Sequence, residues 1–170
     1  IIEDDRIQSI VKDSELDSIN GRQQADIIEL PNHVLMPGLV NTHTHAAMSL
    51  MRGIADDIPL MDWLNEHIWP AESRWVDRQF IEDGVALAAA EMIRHGTTCF
   101  NDMYFFPDVM AQTCQRTGIR ACAGLIVLDF PTIWARDADE YLSKAMALID
   151  ELRELPLVTP VLAPHAPYTV

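Results

Sequence analysis

Strand-like apolar segments alternate with amphipathic segments from residue 36 to the end of this chain, and no other feature restricts its fold as strongly. The predicted strands lie within 36–45, 97–102, 120–128 and 158–165. The predicted helices between the later strands, with apolar residues at helical spacing, span 77–95, 106–117 and 139–155. A shorter helix is predicted at 60–69, between Pro59 and Pro70. Parallel strands need crossover connections of about a dozen residues or more, which such helices provide. The sequence therefore predicts an α/β fold with a parallel sheet.

The order of elements allows either an open doubly wound sheet or a closed barrel. Polar residues fall at or just past the carboxyl ends of the predicted strands, where barrel enzymes build their sites. These residues are His43, His45, Asn101, Asp102, Asp129 and His165. No glycine-rich phosphate loop follows the first of these strands, as a nucleotide-binding open sheet would usually require. We therefore predict a TIM-type (β/α)8 barrel, of which about the first four βα units are present.

The first 35 residues predict a separate small β-domain. Strands are expected at 6–11 and 25–30, and the loop between them contains Asn20 and Gly21, which favour a turn. The predicted organisation is thus a β-rich domain over 1–35, followed by barrel units over 36–170. The chain opens on Ile1 without a methionine and stops just after its fourth βα strand, so we expect it to be cut from a longer enzyme.

Composition narrows the classes of partner. Twelve Lys and Arg residues against 26 Asp and Glu residues give a formal charge of −14, which disfavours nucleic acid and anionic membrane surfaces as partners. Three cysteines without Cys-x-x-Cys spacing fit a reducing compartment, so the cytoplasm is the predicted location. The longest apolar runs fall short of the roughly 18–20 residues that a membrane helix needs.

His43 and His45 are the clearest candidates for chemistry. Side chains two residues apart lie on one face of a strand, whereas on a helix they would point about 200° apart. A neutral imidazole nitrogen is a common zinc ligand, and a catalytic zinc site uses about three protein ligands and a water. The spacing alone fits two ordinary strand-end histidines equally well, so it leaves both interpretations open.

Longer motifs occur in order along almost the whole chain. They are Pro-Gly-Leu-Val-Asn-Thr-His-Thr-His at 37–45, Pro-Leu-Met-Asp-Trp-Leu at 59–64, Ile-Trp-Pro-Ala-Glu at 68–72, Gly-Thr-Thr-Cys-Phe-Asn-Asp-Met at 96–103 and Ala-Pro-His-Ala-Pro-Tyr at 163–168. The first resembles the first-strand signature of the amidohydrolase superfamily. The others resemble its 5′-methylthioadenosine/S-adenosylhomocysteine deaminases. The β-rich start resembles the small β-sandwich domain of the chlorohydrolase and cytosine-deaminase-like branch.

The resemblance implies metal-dependent hydrolytic deamination of small adenosine derivatives. His43 and His45 match two ligands of one divalent metal, for which zinc is favoured and iron, manganese and cobalt are alternatives. Glu72 matches a glutamate that contacts the substrate ribose, with a solvated loop acid or a helix N-terminal charge as the alternatives. His165 matches a substrate-binding histidine, with a histidine packed between prolines as the alternative. Homo-oligomers are common among such enzymes.

The remaining family residues would lie beyond residue 170. They comprise the third histidine ligand, the glutamate that acts as general acid and base, a further histidine and the aspartate that completes the metal site. We therefore assign no catalytic general acid or base to this chain, and expect the 170 residues alone neither to hold zinc tightly nor to deaminate. A related guanine or cytosine deaminase, a triazine-type hydrolase and a non-catalytic half-barrel are the alternative functions.

Other polar and aromatic residues receive weaker assignments. Asp102 and Asp129 are expected to be helix-capping or loop acids. The tryptophans at 63, 69 and 75 fit either substrate contact or packing. Arg136 lies in the loop region where some family members carry a functional arginine, but loop lengths differ and no role is carried over to it.

Overall fold

The computed structural model describes residues 1–19 and 22–170, and the chain divides into two compact units, Ile1–Met36 and Pro37–Val170. Asn20 and Gly21, in the predicted loop, lie outside the described residues. None of the helices in the described part of the chain is long and apolar enough to cross a membrane.

The first unit contains less strand than the sequence predicts. Strands β1 (Ile2–Glu3) and β2 (Arg6–Ile7) pair antiparallel, and 3₁₀ helices follow at Asp13–Ser18 and Arg22–Gln24. The predicted strand at 6–11 is therefore limited to its first two residues.

The prediction of a strand at 25–30 is wrong. Ile27 and Ile28 are exposed, and the segment has no strand conformation. Residues with high β-propensity form a strand only where a neighbour accepts and donates their backbone hydrogen bonds, and the only strands that pair in the described part of this unit are β1 and β2. The assignment of residues 1–35 to a β-sandwich stays a prediction.

The second unit is built on a four-stranded parallel sheet in the order β3-β4-β5-β6. The strands are β3 (Leu39–Thr44), β4 (Thr97–Tyr104), β5 (Arg120–Val127) and β6 (Val158–Pro164). Each strand pairs with the next one along the chain, so the strand order in space is the order in sequence. This confirms the predicted α/β class with a parallel sheet.

Three helices connect the later strands and begin and end close to their predicted bounds. They are α3 (Arg78–Arg94), α4 (Pro107–Thr117) and α5 (Ala138–Arg153). The side chain of Asp77 accepts a hydrogen bond from the Phe80 amide at 2.8 Å and so caps α3. Gly118, with φ of 81°, ends α4 in the left-handed conformation that glycine adopts without strain.

The core lies between one face of the sheet and these helices. Alternate residues of β4 point into it, and among them Phe100 is fully buried. Ile81 and Val85 of α3 and Tyr141 of α5 are also fully buried in the same cluster. The opposite face of the sheet carries Cys99, Asn101 and Met103, which are less buried.

A long helical connection leads from β3 to α3. A 3₁₀ helix at Ala46–Met51 is followed by α1 (Leu60–Asp62), a π-helical segment at Trp63–Ile68 and α2 (Trp69–Trp75). The prediction that a helix at 60–69 ends before Pro70 is wrong, because Pro70 lies within α2. The Trp69 amide donates to the Leu64 carbonyl, five residues back, and this wider turn accommodates a proline that has no N–H to donate.

Candidate active site

His43 and His45 lie side by side at the carboxyl end of β3, the first strand of the parallel sheet. His43 is in the strand and His45 follows it directly. Their ring centroids are 5.3 Å apart and the ring planes are nearly perpendicular. The strand spacing therefore brings both imidazoles to one place, as the sequence predicts.

The ring of His45 is held in one orientation by the neighbouring strand. Its Nδ1 lies 2.6 Å from the Met103 carbonyl oxygen. A carbonyl can only accept, so Nδ1 carries a proton, and in the neutral ring Nε2 keeps its lone pair for another partner. Histidines that bind metals commonly donate their second ring N–H in this way.

Asp102 fixes the backbone around the histidines. Its Oδ1 accepts hydrogen bonds from the Ala46 amide and the Thr44 hydroxyl, both at 2.7 Å. Burial raises the pKa of this carboxyl, and the two hydrogen bonds and the nearby His45 offset part of that rise. Of the two roles predicted for Asp102, that of a loop acid is wrong, because the residue lies within β4 and is 1% exposed. Its bond to the amide of Ala46, the first residue of a 3₁₀ helix, agrees with the predicted capping role.

His165, at the end of β6, joins the two histidines in one open cleft of about 330 Å³. Asn101 and Met103 of β4 line the same cleft. The Nδ1 atom of His165 lies 2.9 Å from the Thr169 hydroxyl, which anchors the ring. Burial and the charge of His45 both lower the pKa of His165.

Glu72, on α2, lies in a second cavity rather than in the histidine cleft. This cavity has a volume of about 300 Å³ and largely aromatic and apolar walls, formed by Trp69, Ser73, Phe105, Phe130, Pro131, Thr132 and Ile133. Glu72 is half-buried, so it is not a fully solvated loop acid. Burial raises the pKa of its carboxyl, while a hydrogen bond from Tyr104 and the charge of His45 lower it.

Tyr104 connects Glu72 to the histidine end of the sheet, and sequence reasoning missed it. Its hydroxyl donates to Glu72 Oε1 at 2.7 Å, and its ring centroid is 6.2 Å from that of His45. Burial and the Glu72 charge raise the pKa of Tyr104, so it remains a donor. The two-residue spacing from Asp102 predicts that Tyr104 lies on the same face of β4. Its partner Glu72, however, is 32 residues away in sequence.

The weaker candidates separate by location. Trp69 borders the Glu72 cavity, whereas the Trp63 indole donates to the Ile54 carbonyl and serves packing. Trp75 is exposed and stacks under Arg74. Arg136 is paired with the acids Asp137 and Glu140.

The described residues contain no complete set of metal ligands. Within residues 1–19 and 22–170, no three His, Cys, Asp or Glu side chains are grouped as ligands of one ion. Asp102 directs its bonded oxygen to Ala46 and Thr44. The available donors at the cleft are therefore imidazoles.

Sequence relatives match the whole chain. It is 51% identical over 170 residues to a 5-methylthioadenosine/S-adenosylhomocysteine deaminase from Saccharophagus degradans, covering 100% of this chain and 38% of that protein. It is 45% identical over 150 residues to a 5′-deoxyadenosine deaminase from Methanococcus vannielii, covering 87% of this chain and 35% of that one. The chain thus spans little more than a third of the length of these curated relatives.

Solved structures share the fold. An adenosine deaminase from Xanthomonas campestris, solved with bound zinc, superposes with a TM-score of 0.77 at 54% identity, over 79% of this chain and 31% of that chain. A guanine deaminase from C. acetobutylicum gives a TM-score of 0.76 over 95% of this chain and 39% of that chain; at 20% identity it supports the fold alone. Residues 34–170 match the sequence profile of the amidohydrolase family. The chain belongs to the amidohydrolase family.

Proposed function

We propose that the complete protein is a metal-dependent hydrolase that deaminates adenosine derivatives. The substrates are 5′-methylthioadenosine, converted to 5′-methylthioinosine, and S-adenosylhomocysteine, converted to S-inosylhomocysteine. The observation that carries the proposal is the paired arrangement of His43 and His45, with His45 Nδ1 bonded to Met103. The names of relatives at 45–51% identity support the substrate class.

We infer that residues 36–170 are the first half of a (β/α)8 barrel and residues 1–35 part of a small β-sandwich domain. Four parallel strands in sequence order, each followed or preceded by a covering helix, support the barrel half. In a barrel the carboxyl ends of the strands face one opening, which is where His43, His45 and His165 lie.

The residues present fit part of a divalent-metal site. His43 and His45 supply two imidazole nitrogens, and the Met103 carbonyl orients the second ring as in many zinc sites. Zinc is the proposed ion, with iron, manganese and cobalt as alternatives for such a donor set. When bound, the ion supplies Lewis acidity that makes a water nucleophilic near neutral pH.

The other site residues position the substrate. Glu72, as a carboxylate, accepts hydrogen bonds from the ribose hydroxyls, and His165 contacts the purine ring. Water adds at C6 of the adenine ring, the bond from C6 to its exocyclic nitrogen breaks, and ammonia leaves with the transferred protons. The general acid and base for these proton transfers are not among His43, His45, Glu72 and His165.

The test is ammonia release from 5′-methylthioadenosine and S-adenosylhomocysteine by the product of the complete gene, together with its metal content. We expect turnover and about one divalent ion per chain. Replacement of His43 or His45 by alanine should lower both the bound metal and the turnover, the latter by at least about 100-fold. His95→Ala is the matched control, since His95 is exposed at the end of α3.

Three results would contradict the proposal. Turnover of guanine, cytosine or a triazine without turnover of adenosine derivatives would assign the protein to a sister activity. Metal binding unchanged in His43→Ala and His45→Ala would remove these histidines from the metal site. A metal-free, inactive product of the complete gene would indicate a non-catalytic half-barrel protein.

Homo-oligomerisation and a cytoplasmic location stay predictions.

A further inference from the structure

Three consecutive residues of β4 each contact a different part of the candidate site. The Asp102 carboxylate binds the Ala46 amide, the Met103 carbonyl accepts from His45, and the Tyr104 hydroxyl donates to Glu72. The first two contacts orient the histidines. The third reaches a helical connection that is 32 residues away in sequence.

We propose that Tyr104 is a positioning residue that holds the Glu72 carboxylate for the ribose hydroxyls of the substrate, an inference that rests on the proposed function. Glu72 sits on α2, a helix of seven residues that directly follows the π-helical turn. A glutamate side chain has three rotatable bonds, so an unanchored carboxylate would adopt several rotamers and lose them on binding.

The hydrogen bond from Tyr104 anchors the Glu72 carboxylate without occupying all of its acceptor sites. The Tyr104 hydroxyl donates to Oε1 at 2.7 Å, which leaves Oε2 and the second lone pair of Oε1 to accept from a diol. Tyr104 itself is fixed, because it is 6% exposed, belongs to a paired strand and stacks on Phe105 with ring centroids 4.8 Å apart. A rigid donor on a strand thus orients an acid on a less regular helix.

The ionisation of Glu72 also supports a positioning role for Tyr104. Burial disfavours an ionised Glu72, and the Tyr104 hydrogen bond stabilises the ionised form. An ionised carboxylate only accepts hydrogen bonds, so it matches two hydroxyl donors better than a protonated acid does. Removal of the Tyr104 hydroxyl therefore weakens both the orientation and the acceptor character of Glu72.

The experiment compares Tyr104→Phe with the unmodified product of the complete gene on 5′-deoxyadenosine and on 2′,3′,5′-trideoxyadenosine. These probes differ only in the two ribose hydroxyls. We expect kcat/KM for 5′-deoxyadenosine to fall about tenfold, mainly through KM, and that for the trideoxy probe to change less than twofold. Metal content should not change. Thr117→Val, which removes a part-buried hydroxyl that donates to the Thr113 and Cys114 carbonyls within α4, should not alter the ratio between the probes.

A double-mutant cycle with Glu72→Ala tests whether Tyr104 acts through Glu72. In the Glu72→Ala background, Tyr104→Phe should change kcat/KM for 5′-deoxyadenosine less than twofold. An equal loss on both probes, or the same loss with and without Glu72, would show a merely structural role and overturn the proposal.

Direct binding separates this inference from the proposed function. Calorimetric titration with 5′-deoxyadenosine requires no turnover, and we expect Tyr104→Phe to weaken binding about tenfold. If the unmodified protein binds this nucleoside without deaminating it and Tyr104→Phe weakens binding, the proposed function fails and the positioning role stands. If the unmodified protein deaminates and Tyr104→Phe has no effect, or if it binds no nucleoside, the positioning role is overturned.

Discussion

Asp102 provides the most direct test of how the histidine end of the sheet is built. Its side chain is 1% exposed, and a single oxygen, Oδ1, accepts from both the Ala46 amide and the Thr44 hydroxyl. The Thr44 hydroxyl also has the Asn101 carbonyl as an acceptor at 2.9 Å, so the amide of the buried Ala46 depends most on Asp102.

The expected cost differs between two substitutions. Asp102→Ala removes the hydrogen bond from the Ala46 amide to a charged group, worth about 1.5–3 kcal/mol, whereas the Thr44 hydroxyl keeps the Asn101 carbonyl as its acceptor. We therefore expect a net loss of about 2 kcal/mol. Asp102→Asn keeps the accepting oxygen in a neutral side chain and should cost about 1 kcal/mol.

The assay is urea unfolding of the complete protein after chelation of its metal, so that altered metal affinity does not enter the free energy of unfolding. Asp150→Ala is the control, because that aspartate lies on α5 with an exposed side chain and should leave the urea midpoint unchanged. A loss below about 0.5 kcal/mol in Asp102→Ala would refute the assigned role of the acceptor. Equal losses in both Asp102 variants would show that the charge matters rather than the accepting oxygen.

Three further predictions concern other parts of the second unit. Gly84→Ala should destabilise the protein by about 2 kcal/mol in urea unfolding, because the new Cβ would lie 2.4 Å from the Ala47 carbonyl oxygen. Alanine has the better helix propensity, so a gain in stability would contradict this contact. Cys114 is buried and its pKa is raised to about 12, so it should react with a thiol reagent only on unfolding. Mass spectrometry after labelling checks this, and rapid labelling of the native protein would contradict the burial of Cys114. The raised pKa of Glu72 means that this side chain binds a proton more tightly in the folded than in the unfolded state, so its contribution to the free energy of unfolding should fall as pH rises above about 4.3. Glu72→Gln removes this contribution, so its stability relative to the unmodified protein should increase in urea titrations from pH 4 to 7, and an unchanged difference would contradict the shift.

The parts of the fold that the sequence predicts are those with local causes. The bounds of α3 follow from the capping aspartate at 77 and the glycine after His95, and α4 ends at Gly118 for the same reason. The near-continuous apolar run at 120–127 predicts a strand with little exposure, and residues 123–127 of β5 are all buried.

The failures have causes that residue patterns do not show. The segment 25–30 has strand-forming residues, but among the described residues of the first unit no strand pairs with it, which no propensity can reveal. The helix through Pro70 continues because a π-type turn precedes it, whereas a proline usually ends a helix pattern. Both outcomes depend on backbone hydrogen bonds that a sequence pattern does not specify.

The candidate site divides in the same way. His43, His45 and His165 are recognisable because they lie at the ends of apolar strands and within the motifs at 37–45 and 163–168. The roles of Asp102 and Tyr104 are not recognisable, because their partners Ala46 and Glu72 lie 56 and 32 residues away. The role of Asp102 emerges only when β3 is paired with β4, and that of Tyr104 only when Glu72 of α2 lies beside β4.

The register between β3 and β4 therefore determines the candidate site. Thr44 pairs with Asp102 after an irregularity that follows Asn41, and this pairing sets the Thr44 hydroxyl and the Ala46 amide against the buried carboxylate. A slip of one residue would turn each β4 side chain to the opposite face of the sheet. Asp102 would then leave the core, and Tyr104 would lose Glu72. The β4 strand thus stabilises the fold and orients the candidate site through the same hydrogen bonds, so variants at these positions should affect stability and site geometry together.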